Sequence, residues 1–355
     1  RFEVIGKSPL TGIYGDSNAG GFFGPELKFA GWDYIVFTGR AERPVYLQIL
    51  DDRVELREAG HLWGLTTSQT EQALQEQLGD AKTRVAAIGP AGENLVRFAG
   101  IQVTSQRSAA RCGLGAVMGS KNLKAIAVRG HSRVPLADPS RFKQLTKSFV
   151  ERLRQNPVYA PVHEHGTPGI TAMMNALGRF PTKNFQMGSF AEIDAIDADA
   201  LHDRAFVRHM GCYACPVACD ALYRVPSGPY AGTELHSVEY ETLSSLGAGI
   251  LNPDLDSILH MNKLCDDLGL DTISAGRCIS FAMELWERGI LTAEDTGGLT
   301  LEWGNIDVSI QLQKMMAQRE GFGALLAEGV RRAAETIGRG ADASAMHIKG
   351  MEIPG

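Results

Sequence analysis

Cys212-Tyr213-Ala214-Cys215-Pro216-Val217-Ala218-Cys219 is the stretch that sets how the rest of the chain is read. Its thiols are spaced C-x2-C-x3-C, and such a run in a chain of this length points first to metal chemistry. Thiolates brought to one point repel each other unless a cation or a cluster neutralises them. The spacing wraps a short loop round a cubane-sized object, and iron–sulfur clusters are held by Cys thiolates in such loops. A cluster takes four ligands, so one is missing locally. A structural zinc prefers two paired knuckles, and no second C-x2-C is present. Attached haem needs His after the second Cys, where Pro216 stands. Radical cluster enzymes usually show the reverse order, C-x3-C-x2-C. Zinc and a disulfide stay open on the residues alone, but a [4Fe-4S] cluster on Cys212, Cys215 and Cys219 is the preferred reading.

Composition narrows the setting. A chain of 355 residues buries a large core and divides into about two domains. Hydrophobic residues make up 44% and charged residues 21%, the balance of a water-soluble globular chain. The net charge is -6 and no basic run stands out, which argues against nucleic acid as a partner. No apolar run approaches membrane length, and no signal peptide is visible. Six Cys are too few for a disulfide scaffold, so reduced thiols in a cytoplasm are expected. The chain starts mid-pattern at Arg1 and ends at Ile353-Pro354-Gly355, so it reads as a piece of something longer.

Working outward from the cysteines, the texture differs on the two sides. Before them, Tyr34–Phe37, Val45–Ile49, Val54–Leu56, Arg84–Ile88 and Lys124–Val128 read as short strands, with Asp51-Asp52 as a hairpin turn. Thr67–Leu78 reads as a surface helix, and Asp138-Pro139 starts another whose stripe is Phe142, Leu145, Phe149 and Leu153. After them the chain is mostly helical. Asn252-Pro253-Asp254 opens a helix with the stripe Leu255, Ile258, Leu259, Met261, Leu264, Cys265 and Leu268, closed by Gly269. Thr272–Arg288 and Gly321–Ile337 read as two more. The fold class expected is α+β, a β-rich domain over residues 1–208 followed by a helical domain over 209–355.

Four further stretches carry chemistry. Gly15-Asp16-Ser17-Asn18-Ala19-Gly20-Gly21-Phe22-Phe23-Gly24 lies between a strand and a helix start, where backbone N–H groups can approach an anion. A plain tight turn explains the glycines equally well. Arg107-Ser108-Ala109-Ala110-Arg111-Cys112-Gly113-Leu114-Gly115-Ala116-Val117-Met118-Gly119 places two arginines at i, i+4 beside glycines, a phosphate clamp by its chemistry. It is a poor dinucleotide fingerprint: its third glycine is one residue late, and Thr104-Ser105-Gln106 does not read as a buried parallel strand. Asp266-Asp267-Leu268-Gly269-Leu270-Asp271 puts acids in a last helical turn, against the helix dipole, which suits a wet surface or a ligand needing acceptors. Glu239-Tyr240-Glu241 puts acids in a first turn, where the dipole favours them; Glu241, or failing it Glu239, is also a candidate general base. Cys265 and Cys278 read as core residues.

Taken together these stretches resemble the aldehyde:ferredoxin oxidoreductase family of tungsten enzymes. The matching pieces run in family order: Lys7–Gly12, Gly20–Gly31, Gly113–Ala125, the C-x2-C-x3-C run, Asp266-x-x-Gly269-Leu270-Asp271 and Lys349–Pro354. The resemblance implies an N-terminal double β-sheet base followed by helical domains, with a bis-pterin cofactor between them carrying tungsten or molybdenum. It implies pterin contacts at Arg1, Asn18, Gly20, Arg107, Ser108, Ala110, Arg111, Asp266 and Leu270, and a magnesium ion bridging the pterin phosphates. It places the fourth cluster Cys and a pocket His outside this chain. The activity implied is reversible oxidation of an aldehyde to a carboxylate, with electrons passing through the cluster to ferredoxin or a partner subunit, in a homo-oligomer or larger complex. A tungsten subunit of a benzoyl-CoA-type reductase is the rival within the family. A non-catalytic iron–sulfur electron-transfer subunit is the rival from another class, and Asn18 and Arg107 argue against it.

Overall fold

Alternation of side chains decides the N-terminal sheet. In the strands Val45–Leu50 (β3), Arg84–Ala87 (β5) and Leu123–Arg129 (β8), neighbouring residues point to opposite faces. Tyr46, Val85, Ala87, Ala125 and Ala127 face one side, where Leu62 and Leu74 cover them. Leu47, Ile49, Ala86, Ile126 and Val128 face the other, packed with Phe23, Leu114 and Met118. The computed structural model describes residues 1–104 and 107–355. Ser105 and Gln106, which enter the reading of the arginine loop, lie outside the described residues.

Strands β3, β5 and β8 form a six-stranded mixed sheet with Arg53–Glu58 (β4), Ile101–Val103 (β6) and Arg107–Ala109 (β7), in the order β4-β3-β8-β5-β6-β7. Only β3 and β8 run parallel. The short β6–β7 pair is antiparallel, so the arginine loop that follows it does not leave a parallel strand as a dinucleotide fold requires. The Asp51-Asp52 hairpin is present, with Asp51 at φ +52°. Against the upper face lies an antiparallel hairpin of Phe2–Lys7 (β1) and Tyr14–Ala19 (β2). The expected double sheet is therefore a six-stranded sheet and a two-stranded one. Tyr34–Phe37 is not a strand. Its pattern is β-like, but Tyr34 and Val36 are exposed, and it joins none of the sheets among the described residues.

The helix Thr67–Leu78 begins at a capping box, Thr66 with Gln69, and ends at left-handed Gly79. Pro139–Arg154 is a helix capped by Asp138, as expected, yet none of its residues is buried, so its apolar stripe is exposed. The three-stranded sheet β11-β10-β9, made of Phe206–Met210 (β9), Asp220–Arg224 (β10) and Glu234–His236 (β11), carries the cysteines in its β9–β10 loop.

The helical part is built on Leu255–Leu268 and Thr272–Glu287. The first is capped by Asp254 and closed by Gly269 at φ +75°. The second is capped by Asp271, whose side chain accepts from the N–H groups of Ile273 and Ser274. Both sink their stripes into one core with Phe98, Phe180, Phe190, Leu243 and Leu312. The single helix expected over Gly321–Ile337 is two, Gly321–Leu326 and Val330–Ile337. Gly329 breaks it at φ +83°, because the Glu352 side chain occupies the space beside it and accepts from Val330 N.

Candidate active site

The glycines of the second loop do a different job from the one their chemistry suggests. A Cβ at position 113 would stand 1.8 Å from the Arg97 carbonyl oxygen, and one at position 119 would stand 1.9 Å from that of Gly92. They let the Leu114–Ser120 helix press against neighbouring backbone. That packing fixes the end of the loop, and it is Arg107, Ser108, Ala110 and Arg111 that face the open space.

The open space is a cavity of about 470 Å³ between the β1–β2 hairpin, the arginine loop and the facing ends of Leu255–Leu268 and Thr272–Glu287. Its lining includes Arg1, Asn18, Gly20, Arg107, Ser108, Ala110, Arg111, Asp266 and Leu270, together with Glu239 and Glu241. Residues far apart in sequence are thus brought to one wall system.

Each wall has its own support. Arg1 Nη1 donates to Asn18 Oδ1 at 3.1 Å across the end of the hairpin. Arg107 Nη2 pairs with Asp220 Oδ2 at 2.5 Å, and its Nη1 donates to Ser237 Oγ at 3.3 Å. Arg111 pairs with Asp271 at 2.9 Å and donates to the Glu352 carbonyl at 2.7 Å. Asp266 is buried, yet it accepts from Gln102 Nε2 at 3.1 Å and Asn262 Nδ2 at 3.0 Å. Burial pushes its carboxyl well above the usual range, with Lys263 pulling the other way. Asn262, one turn before Asp266 on the same helix and buried with it, also lines the cavity; its i, i+4 spacing from Asp266 is the sequence signal for it. Ser108 Oγ and Gln102 Oε1 are buried and lack a hydrogen-bond partner among the described residues. Of the two only Ser108 lines the cavity, and a polar atom left idle there is the mark of a ligand site.

Glu239 and Glu241 both line the cavity. On one helix they would lie about 200° apart and only one could do so. Glu239 is instead the extended N-cap residue of the Tyr240–Thr242 turn, at φ -101° and ψ 152°, so helical spacing does not apply to it. Its two oxygens accept from Thr167 and Ser237, each at 2.6 Å. Glu241 Oε2 accepts from Gly355 N at 2.7 Å. Burial pushes the Glu241 carboxyl up, while the Gly355 N–H, Arg277 and Arg111 hold it down and Asp271 adds to the rise.

The cysteine loop abuts the same cavity. All six cysteines are free thiols. Ala214 and Ala218 are both left-handed, at φ +51° and +47°, which turns the loop sharply between its thiols. Tyr159 Oη donates to Pro216 O at 2.8 Å, and His163 Nδ1 lies 2.6 Å from Val217 O. Tyr213 N donates to Gly21 O at 3.2 Å. A Cβ at position 20 would stand 2.7 Å from Cys212 Sγ, so Gly20 is what lets the thiol approach the hairpin loop. Among the described residues, no three His, Cys, Asp or Glu side chains stand close enough to hold a metal ion. Cys265 and Cys278 are buried in the core, as expected.

A cavity between a β-hairpin, an arginine loop and two helix ends, with a few convergent charged groups and an idle buried hydroxyl, has the form of a site for a large polar ligand. Residues 1–130 match the N-terminal domain of aldehyde ferredoxin oxidoreductase and residues 144–355 match its domains 2 and 3, so the chain belongs to that family. The tungsten-containing aldehyde ferredoxin oxidoreductase of Pyrococcus furiosus is 44% identical over 356 residues, covering 100% of this chain and 58% of that protein. The aliphatic sulfonate oxidoreductase, WOR-like subunit, of the same organism is 33% identical, covering 99% of this chain and 59% of that one. Among solved structures, the active site complex BamBC of benzoyl coenzyme A reductase with 1,5 dienoyl-CoA superposes with a TM-score of 0.86 at 32% identity, over 99% of this chain and 54% of that one. The chain thus spans a little over half the length of these relatives. No helix among the described residues is long and apolar enough to cross a membrane.

Proposed function

We propose that the chain is the cofactor-binding part of an oxidoreductase that interconverts an aldehyde and a carboxylate at a tungsten or molybdenum bis-pterin centre. The observation that carries the reading is the single cavity lined by Arg1, Asn18, Gly20, Arg107, Ser108, Ala110, Arg111, Asp266 and Leu270. Its donor set fits such a group. Arginines on two sides suit phosphates bridged by magnesium, and Asp266, Asn262 and the idle Ser108 hydroxyl suit the hydrogen-bonding edge of a pterin. When bound, the metal cofactor supplies the two-electron change at the carbonyl carbon. Cys212, Cys215 and Cys219, the first with its thiol against Gly20 at the cavity wall, would hold a [4Fe-4S] cluster with a fourth ligand from elsewhere, and such a cluster would supply one-electron transfer. Glu241 takes the proton released as water adds, and Glu239, held by Thr167 and Ser237, sets the cavity's outer edge. Ferredoxin or a partner subunit would receive the electrons, in an oligomer or larger complex in the cytoplasm.

The likeness to the benzoyl coenzyme A reductase complex supports a second reading, a tungsten subunit acting on a thioester. A pure electron carrier would have no use for the cavity. Metal analysis of full-length protein purified without oxygen tests the proposal. About one tungsten or molybdenum and four irons per chain are expected. One zinc and no iron would overturn it. Turnover of an aldehyde against an aryl-CoA thioester separates the two readings.

A further inference from the structure

Arg277 sits in the middle of the Thr272–Glu287 helix and is only 1% exposed. Its Nη2 donates to Ser244 Oγ at 2.9 Å, and its guanidinium lies over the Phe185 ring, 4.5 Å from the centroid. Nε and Nη1 have no hydrogen-bond partner among the described residues, and no carboxylate pairs with it there. A buried cation with idle donors is costly unless its charge serves something nearby. Burial pushes its pKa down only to about 10, so the group remains a cation at neutral pH.

The surrounding backbone holds that cation in place. Ser244 belongs to a π-helical turn, Leu243–Gly247, and such turns are frequent at functional sites. The turn is pressed onto the helix: a Cβ at position 276 would stand 2.5 Å from Ser245 O, and one at position 249 would stand 2.9 Å from Arg277 Nη1. The same turn follows directly on Glu241. Gly355, whose N–H binds Glu241, lies against Ser244, with its Cβ position 2.6 Å from Ser244 Oγ.

The charged and titratable groups facing Glu241 are few. Arg277 and Asp271 come from the Thr272–Glu287 helix and its cap, Arg111 from the loop after β7, and Tyr240 from the same turn. Asp271 and Arg111 are paired with each other at 2.9 Å and largely cancel. Arg277 is left as the uncompensated charge.

We propose that Arg277 is a positioning residue for Glu241: its guanidinium, approaching from within the helical core, keeps Glu241 an ionised proton acceptor facing the cavity. The inference rests on the reading of Glu241 as the cavity's base. Its test uses the full-length holoenzyme, with two readouts: the pH profile of kcat/KM, and the carboxylic-acid infrared band that Glu241→Gln abolishes. Arg277→Gln is expected to move the acid limb and the band's midpoint upward together by about one pH unit, a tenfold change in proton affinity. Arg277→Lys should restore most of the shift. Gly249→Ala, which displaces the guanidinium while keeping its charge in the protein, should move both readouts in the same direction and by less. It decides the question if Arg277→Gln does not fold. An unmoved band midpoint in Arg277→Gln, or in Gly249→Ala when Arg277→Gln does not fold, would overturn the proposal. A Glu241→Gln enzyme that keeps its acid limb would sink the base reading instead, and the band midpoint would still report on Arg277.

Discussion

Glu241 and Glu239 were equivalent as letters and are not equivalent as groups. Glu241 is half-buried and bound by one N–H, whereas Glu239 is exposed and tied to two hydroxyls. General bases contribute roughly 10²–10⁴-fold, so Glu241→Gln should lower kcat for aldehyde oxidation by about that factor, with tungsten, iron and the cluster's spectrum unchanged. Glu239→Gln should retain activity, since its carboxylate already serves Thr167 and Ser237. The reverse pattern would move the base to Glu239. Asp266 makes a second residue-scale prediction. Its folded pKa lies above its unfolded value, so between the two values the folded state holds the extra proton and stability falls as pH rises through that window. Asp266→Asn removes the penalty. The apo variant should melt higher than the parent at neutral pH, and the difference should vanish below pH ~4, where both states of the parent are protonated. An equal gap in Tm at pH 3 and pH 7 would contradict it.

At the scale of elements, the arginine loop and the cysteine hairpin are one unit rather than two. Arg107 spans from the cavity to Asp220, the residue after Cys219, and the Asp220 side chain is 3% exposed. Breaking a buried pair by removing one partner costs roughly 3–5 kcal/mol. Arg107→Ala should therefore lower bound pterin and tungsten and also disturb iron, because it strands Asp220 beside the cluster loop. Adding Asp220→Asn to that variant should return iron toward the parent level and leave pterin low. Metal and pterin analysis of the three proteins checks this, and pterin recovery in the double variant would show that Arg107 acts through Asp220 alone. Helix ends at this scale were readable at Asp138, Asp254 and Gly269, which stand where capping chemistry places them, while the caps at Thr66, Gly79 and Asp271 came from the structure. Their partners were not. The break at Gly329 depends on Glu352, and the glycines at 113 and 119 depend on the carbonyls of Arg97 and Gly92, contacts from distant chain.

For the whole molecule, the core cluster that takes in Phe180, Phe190, Ile196 and Leu201 continues into the helical part, while Pro139–Arg154 buries nothing. A division near residue 208 is a proposal that limited proteolysis of the apo chain tests. First cuts are expected between residues 131 and 176, where little is buried. A stable fragment starting near 208 supports the division there, one starting near 140 moves it, and cutting inside Leu255–Leu268 would contradict the packing described. The chain's own letters determined the α+β order, most of the strands and helices, the thiol loop and the family it belongs to. They did so because period, caps and ligand spacing are local properties that survive without neighbours. Only the tertiary structure decided that one cavity collects Arg1, Arg107, Asp266 and Glu241, that Glu239 shares it, and that Arg277 stands behind it unpaired. Those facts are distances between residues far apart in sequence. Such distances are set by which backbones can approach closely enough to bury the stripes between them, and no single stretch carries that information.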